Sequence, residues 1–260
     1  MTIAPLTLNK ANVPPALSES SADDVGGIVG VLGGMGPLAT LDFQRKIFDA
    51  TPARCDQEHV PLLVSSIPQI PDRTAAFRGS GASPLPALVA TGRRLIAAGA
   101  AILVMPCHTA HLWFEELQAT LDIPMLHIAD AALAELSTQA KLTRVGILGT
   151  EATLNSELYT KRAHSQLSIT WVVPTPCEVK ELVMPGIYSV KSGALQTGAP
   201  LLRAAGLSLV ERGAEAILLA CTELPLVINE RDVGVAVFDA TDALARATVA
   251  WSRMRSQLTK

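Results

Sequence analysis

Aromatic residues are scarce in this 260-residue chain, only 4% of it. A core must therefore come from Ala, Val, Ile and Leu, which suits buried parallel strands covered by helices. Basic residues show no surplus: the formal net charge is −3. That excludes the electrostatic footprint of a nucleic-acid binder. No apolar run reaches the ~18 residues of a membrane-spanning helix, so no membrane partner is expected. The four cysteines, Cys55, Cys107, Cys177 and Cys221, form no C-x-x-C pair. A disulfide framework or a zinc ribbon is thereby disfavoured, and a reducing cytoplasm is the expected compartment. Residues 1–27 combine prolines with a Ser/Glu/Asp cluster and no apolar h-region, and read as a loose N-terminal extension.

Short apolar runs alternate with helical patterns along the rest. Strands are expected at 28–32, 60–64, 101–105, 124–128, 144–148, 168–173, 216–219 and 233–238. Helices are expected at 38–50, 84–99, 109–120, 129–140, 153–166, 200–213 and 243–256. Such alternation implies right-handed βαβ units and mainly parallel sheets. An internal repeat sharpens this. Gly30-Val-Leu-Gly-Gly34 is similar to Gly146-Ile-Leu-Gly-Thr150. The stretch from Ala98 to Thr109 is similar to that from Arg212 to Thr222, with Cys107 and Cys221 at the same place. The chain thus reads as an α/β protein of two related halves.

Each of the paired cysteines follows a buried strand and precedes a helix. Ligands in open α/β sheets bind beyond the carboxyl ends of strands. Helix N-termini stabilise thiolates there. Two thiols facing across a cleft suit a two-base reaction, one removing a proton from carbon and the other delivering one to the opposite face. Thr109 and Thr222 can add hydroxyl contacts to the thiols or to a carboxylate. Cys55 and Cys177 read as bystanders.

The segments Gly33–Thr40, Asp56–His59, Ile67–Thr74, Met105–His111, Gly186–Lys191 and Ala220–Glu223 together resemble the aspartate/glutamate racemase superfamily, most closely its aspartate racemase branch. The resemblance implies a racemase of aspartate or glutamate that needs no cofactor, neither PLP nor metal. It implies a homodimer of an α/β chain with two pseudo-symmetric domains and the active site in the cleft between them: a first domain over 28–125 that the C-terminal segment 225–260 rejoins, with 126–224 as the second domain. Cys107 and Cys221 match the two proton-shuttling cysteines. Arg73 and Lys191 match the residues that hold the substrate's side-chain carboxylate, and Met35 lies in the loop that shapes the pocket. Glu223 stands where the glutamate branch has His, and could assist the neighbouring thiol. His108 replaces the usual Asn; it could bind the α-carboxylate as a cation, depress the pKa of Cys107, or reshape the pocket.

Other readings compete. Gly34-Met-Gly36-Pro-Leu-Ala39 fits a G-x-G-x-x-A dinucleotide turn, with Glu58 near the expected acidic position. Cys107, His108 and His111 invite a zinc site. A non-catalytic sensor of acidic amino acids, or a racemase of hydantoins or of a broader range of amino acids, would share the same cleft.

Overall fold

The computed structural model describes residues 27–139, 141–163 and 168–258. The expected N-terminal extension lies outside them, apart from Gly27. In chain order the elements are β1 (Val29–Gly33), α1 (Pro37–Ala50), β2 (Leu62–Ser66), α2 (Arg73–Phe77), α3 (Leu85–Ala97), β3 (Ile102–Val104), α4 (Phe114–Thr120), β4 (Met125–Leu126) and α5 (Ile128–Ser137). Then follow β5 (Arg144–Gly149), α6 (Glu151–Asn155), α7 (Leu158–Ala163), β6 (Thr170–Val172), α8 (Pro176–Glu178), α9 (Met184–Lys191), α10 (Leu195–Glu211), β7 (Ala216–Ala220), α11 (Glu230–Val233), β8 (Ala236–Asp239) and α12 (Ala240–Leu258).

The strands form two four-stranded sheets in the same order, β2-β1-β3-β4 and β6-β5-β7-β8. Every pairing is parallel. The repeat seen in the sequence is therefore a repeat of topology. In each sheet the chain runs outward from the first strand to one edge, then returns to that strand's other side. Loops leaving β1 and β3 diverge, as do those leaving β5 and β7, and each divergence opens a crevice at the strand ends.

Alternate residues of the central strands face different cores. Val29, Val31, Ile102 and Val104 of one sheet share a core with Val145, Ile147, Leu218 and Ala220 of the other. Leu133 and Leu136 of α5 and Leu244 and Val249 of α12 fill the space between. Leu103 and Met105 face the outer core of the first sheet, and Ile217, Leu219 and Cys221 that of the second. Burial on both faces explains why these strands read as continuous apolar runs.

The structure revises several elements. The segment expected as one helix over 153–166 is broken into α6 and α7, with Glu157 at a positive φ of 58° between them; residues 164–167 lie outside the described residues. The stretch 109–120 begins as a 3₁₀ turn, Thr109–Trp113, before α4. Helix α10 starts five residues earlier than its Pro200 suggested. The expected strand over 233–238 is shortened, because Gly234, left-handed at φ 75°, ends α11 inside it. Helix α2 and the run from α8 through a π turn, Val179–Val183, to α9 were not anticipated. The Thr175/Glu178 capping box that opens this run was present in the sequence.

Candidate active site

Both paired thiols lie at the crevices, just beyond β3 and β7, and both are free and buried. The loop after β1 is fixed by Gly34 (φ 92°): a Cβ there would meet the Ile67 backbone at 2.4 Å, so only glycine lets the loop pass. This turn carries buried Met35 and presents the Gly36 N–H to the opposite half.

Around Cys221 the contacts are acidic. Its Sγ donates to Glu223 Oε2 at 3.1 Å, and the Thr222 hydroxyl donates to the same oxygen at 3.3 Å. The other oxygen, Oε1, accepts the Gly36 N–H at 3.1 Å. Glu223 thus bridges the second thiol to the N-terminus of α1 in the first half, where the helix dipole favours a carboxylate. Burial, with Glu223 beside it, pushes the Cys221 thiol well up, and Lys191 works in the other direction.

In the first half the position equivalent to Glu223 is neutral. Thr109, in the register of Glu223, meets the Thr150 hydroxyl at 2.8 Å and that of Thr153 at 3.2 Å; Thr150 and Thr153 are 2.9 Å apart. All three are buried. The contacts across the halves are therefore pseudo-symmetric: two residues after each cysteine, a side chain reaches the loop beyond the opposite first strand. Thr150 and Thr153 were missed in the sequence. Their signal was Thr150 as cap of α6, its side chain accepting the Thr153 N–H.

Two cations reach this region. Lys191, half-buried at the end of α9, would be lowered by burial, but Glu223, Cys221 and Cys107 outweigh that and raise its pKa, with Arg73 opposing them. Arg73 opens α2 and is buried; its Nη1 donates to the carbonyls of Ile70 (3.0 Å) and Pro71 (2.9 Å). Among the described residues neither Arg73 nor Lys191 has a carboxylate at ion-pair distance. Unpaired buried positive charge is costly unless an anion completes it.

His108 departs from expectation. It is buried without a hydrogen-bond partner among the described residues, and burial, with His111 adding a little, pushes its pKa well down. Burial thus works against the cationic form of the ring. The zinc reading also fails on the donors. His111 Nε2 accepts the Ile128 N–H at 3.2 Å, so its Nδ1 carries the proton and meets the Cys107 carbonyl at 2.8 Å. Among the described residues no group of three or more His, Cys, Asp and Glu side chains could hold a metal ion. The dinucleotide turn spends its Gly36 N–H on Glu223.

The match over residues 32–248 to the Asp/Glu/Hydantoin racemase family decides the assignment. The chain belongs to that family. Among solved structures, an aspartate racemase from Picrophilus torridus is 32% identical with a TM-score of 0.80, over 88% of this chain and 95% of that one. An aspartate racemase homologue from Pyrococcus horikoshii OT3 is 26% identical with a TM-score of 0.67, over 87% and 99%. The broad specificity amino-acid racemase RacX of Bacillus subtilis (strain 168) is 26% identical over 85% of this chain and 96% of its own length. The two-domain α/β fold is that of the family. No helix among the described residues is long and apolar enough to cross a membrane.

Three imidazoles near this site give the racemase fold an acid limit. His111 is lowered by burial to about 4, and His127 and His108 are also pushed down, burial being the main cause. The unfolded chain binds protons at these residues near pH 6.5, where the folded chain does not. Stability is therefore expected to fall as pH drops from about 6.5 to about 4, with His111 alone contributing on the order of 3 kcal/mol. Urea unfolding across this range would show it; a flat profile would contradict it.

Proposed function

We propose that this protein interconverts the enantiomers of aspartate, with glutamate as a second substrate, by a two-thiol mechanism that uses no PLP or metal. The observation that carries the reading is the pair of buried free thiols in equivalent crevices, with two cations nearby that lack carboxylate partners. One cysteine, as thiolate, removes the Cα proton; the other, as thiol, donates its proton to the opposite face. Arg73 grips the side-chain carboxylate through its remaining donors, and Lys191 adds the second positive charge. Thr109, Thr150 and Thr153 offer hydroxyl donors, and Glu223 takes up the Cys221 proton when that thiol must act as base.

The test is incubation of the protein with L-aspartate in D2O without added PLP. Deuterium should enter at Cα as optical rotation decays, unchanged by hydroxylamine or a chelator. Absence of exchange with aspartate and glutamate would overturn the substrate assignment. A likeness to RacX keeps a second reading, broad amino-acid specificity, which exchange into alanine or serine at comparable rates would favour.

A homodimer in a reducing cytosol is part of the same proposal. Leu38, Leu41 and Phe48 are exposed along one face of α1, a surface suited to a second copy. Light scattering should give twice the chain mass; the mass of one chain would refute the dimer.

A further inference from the structure

Helix α2 has five residues, far short of the ~12 that an isolated helix needs for stability of its own. Its shape is set locally. The Asp72 carboxylate accepts the Ala75 N–H at 2.7 Å. Past the last turn, Gly79 is left-handed at φ 74°, and the N–H groups of Ser80 and Gly81 both reach the Ala75 carbonyl. None of these bonds decides where the helix sits. Its two buried residues are Arg73 and Thr74, and its one large apolar side chain, Phe77, is 40% exposed.

The two ends are held differently. Ahead of the helix, Ile70 is buried in the outer core of the first sheet. Beyond it, residues 79–83 are exposed. The tie at that end comes from the other half. Arg78, the C-cap, turns Nε and Nη2 to the two carboxylate oxygens of Glu151 on α6, with Nε donating to Oε1 at 3.2 Å. This is the forked pairing in which arginine is most directional. Helix α2 also packs on α6 and on the 3₁₀ turn after Cys107.

Glu151 stands at a junction. It follows Thr150, whose hydroxyl meets that of Thr109 at 2.8 Å. Its own N–H donates to Met184 Sδ at 3.3 Å, at the first residue of α9, the helix that ends in Lys191. The elements that carry both cations of the site therefore converge on the first turn of α6.

We propose that Arg78 and Glu151 are positioning residues for substrate binding: their ion pair fixes the far end of α2, and with it the place of the Arg73 guanidinium. The proposal rests on the reading of Arg73 as the carboxylate clamp. Arg73 commits Nη1 to the Ile70 and Pro71 carbonyls, so the guanidinium moves with the segment that bears it. With the far end untied, binding must also order the helix, and affinity falls. The pair is partly solvated, 48% exposed at the Arg78 side chain and 30% at Glu151, so the effect is modest.

Arg78→Gln and Glu151→Gln should each raise KM for aspartate about threefold to fivefold and leave kcat within about twofold of wild type. Combined, they should raise KM no further, since each removes the same pair. The exchanged pair, Arg78→Glu with Glu151→Arg, should return KM towards wild type. Amide hydrogen exchange read by mass spectrometry should be faster over residues 73–78 in Glu151→Gln and unchanged over β7. In a protein that racemises aspartate, an unchanged KM in both single variants, or effects that add in the double, overturns the positioning role and leaves the proposed function standing. Wild-type exchange over residues 73–78 in Glu151→Gln overturns the tie itself, whatever the activity. A wild-type protein that racemises neither aspartate nor glutamate overturns the proposed function and this role with it.

Discussion

Replacement of Cys107 or of Cys221 by alanine is expected to lower aspartate racemisation at least ~10³-fold, the scale of a lost general acid or base. The equilibrium constant between enantiomers is one, so kcat/KM must fall equally in both directions whichever thiol is removed. The two variants should differ in exchange. With Cys221 gone, Cys107 can still remove and return the proton of the enantiomer that faces it, so deuterium enters that enantiomer without inversion. With Cys107 gone, the other enantiomer exchanges. Circular dichroism of the substrate measures racemisation, and proton NMR measures exchange. The fold should survive, since losing one small buried side chain costs on the order of 1 kcal/mol. Wild-type rates in either variant would remove the two-thiol mechanism.

Lys191→Met is expected to have the next largest effect. Lys191 is held charged by Glu223, Cys221 and Cys107, against the cost of its own burial. Without it, an acidic substrate would enter a region whose remaining buried charges include a carboxylate and a thiolate. KM for aspartate should rise on the order of 10²-fold, the scale of a lost charge-assisted contact. Lys191 also lowers the Cys221 pKa, so its removal should move the rising limb of the pH–rate profile to higher pH. The wild-type rate itself should decline only in strongly alkaline solution, because the raised Lys191 pKa keeps the ammonium protonated up to and beyond its ordinary range. An unchanged KM together with an unmoved limb would show that Lys191 takes no part in binding.

Much of this fold was legible because parallel strands buried on both faces leave continuous Val, Ile and Leu runs, as in Ala216–Ala220. The repeat then located both cysteines, since each follows a strand of that kind. What escaped was local and depended on contacts distant in sequence. Thr150 and Thr153 gain meaning only when Thr109 arrives from the other half. Helix α2 is five residues long, too short for periodicity to show. The helical run that delivers Lys191 is interrupted by a π turn and by Pro185, which blur its spacing. The burial of His108 could not be read from its neighbours in sequence, because it depends on packing near Tyr159 of the opposite half.

The helices α5 and α12 have a consequence for motion. They are packed between the two sheets and belong to a core that both sheets line. Neither sheet can swing away as a rigid lobe without exposing apolar surface that the other also covers. The protein should therefore unfold as one cooperative unit. A calorimetric scan resolving two transitions would contradict this. The five-residue helix α2 is a small piece joined to both halves. That helix carries Arg73 and, at its C-cap, Arg78, whose ion pair with Glu151 ties it to the opposite half. The arginine proposed to grip the substrate's carboxylate thus sits on an element anchored from the other half.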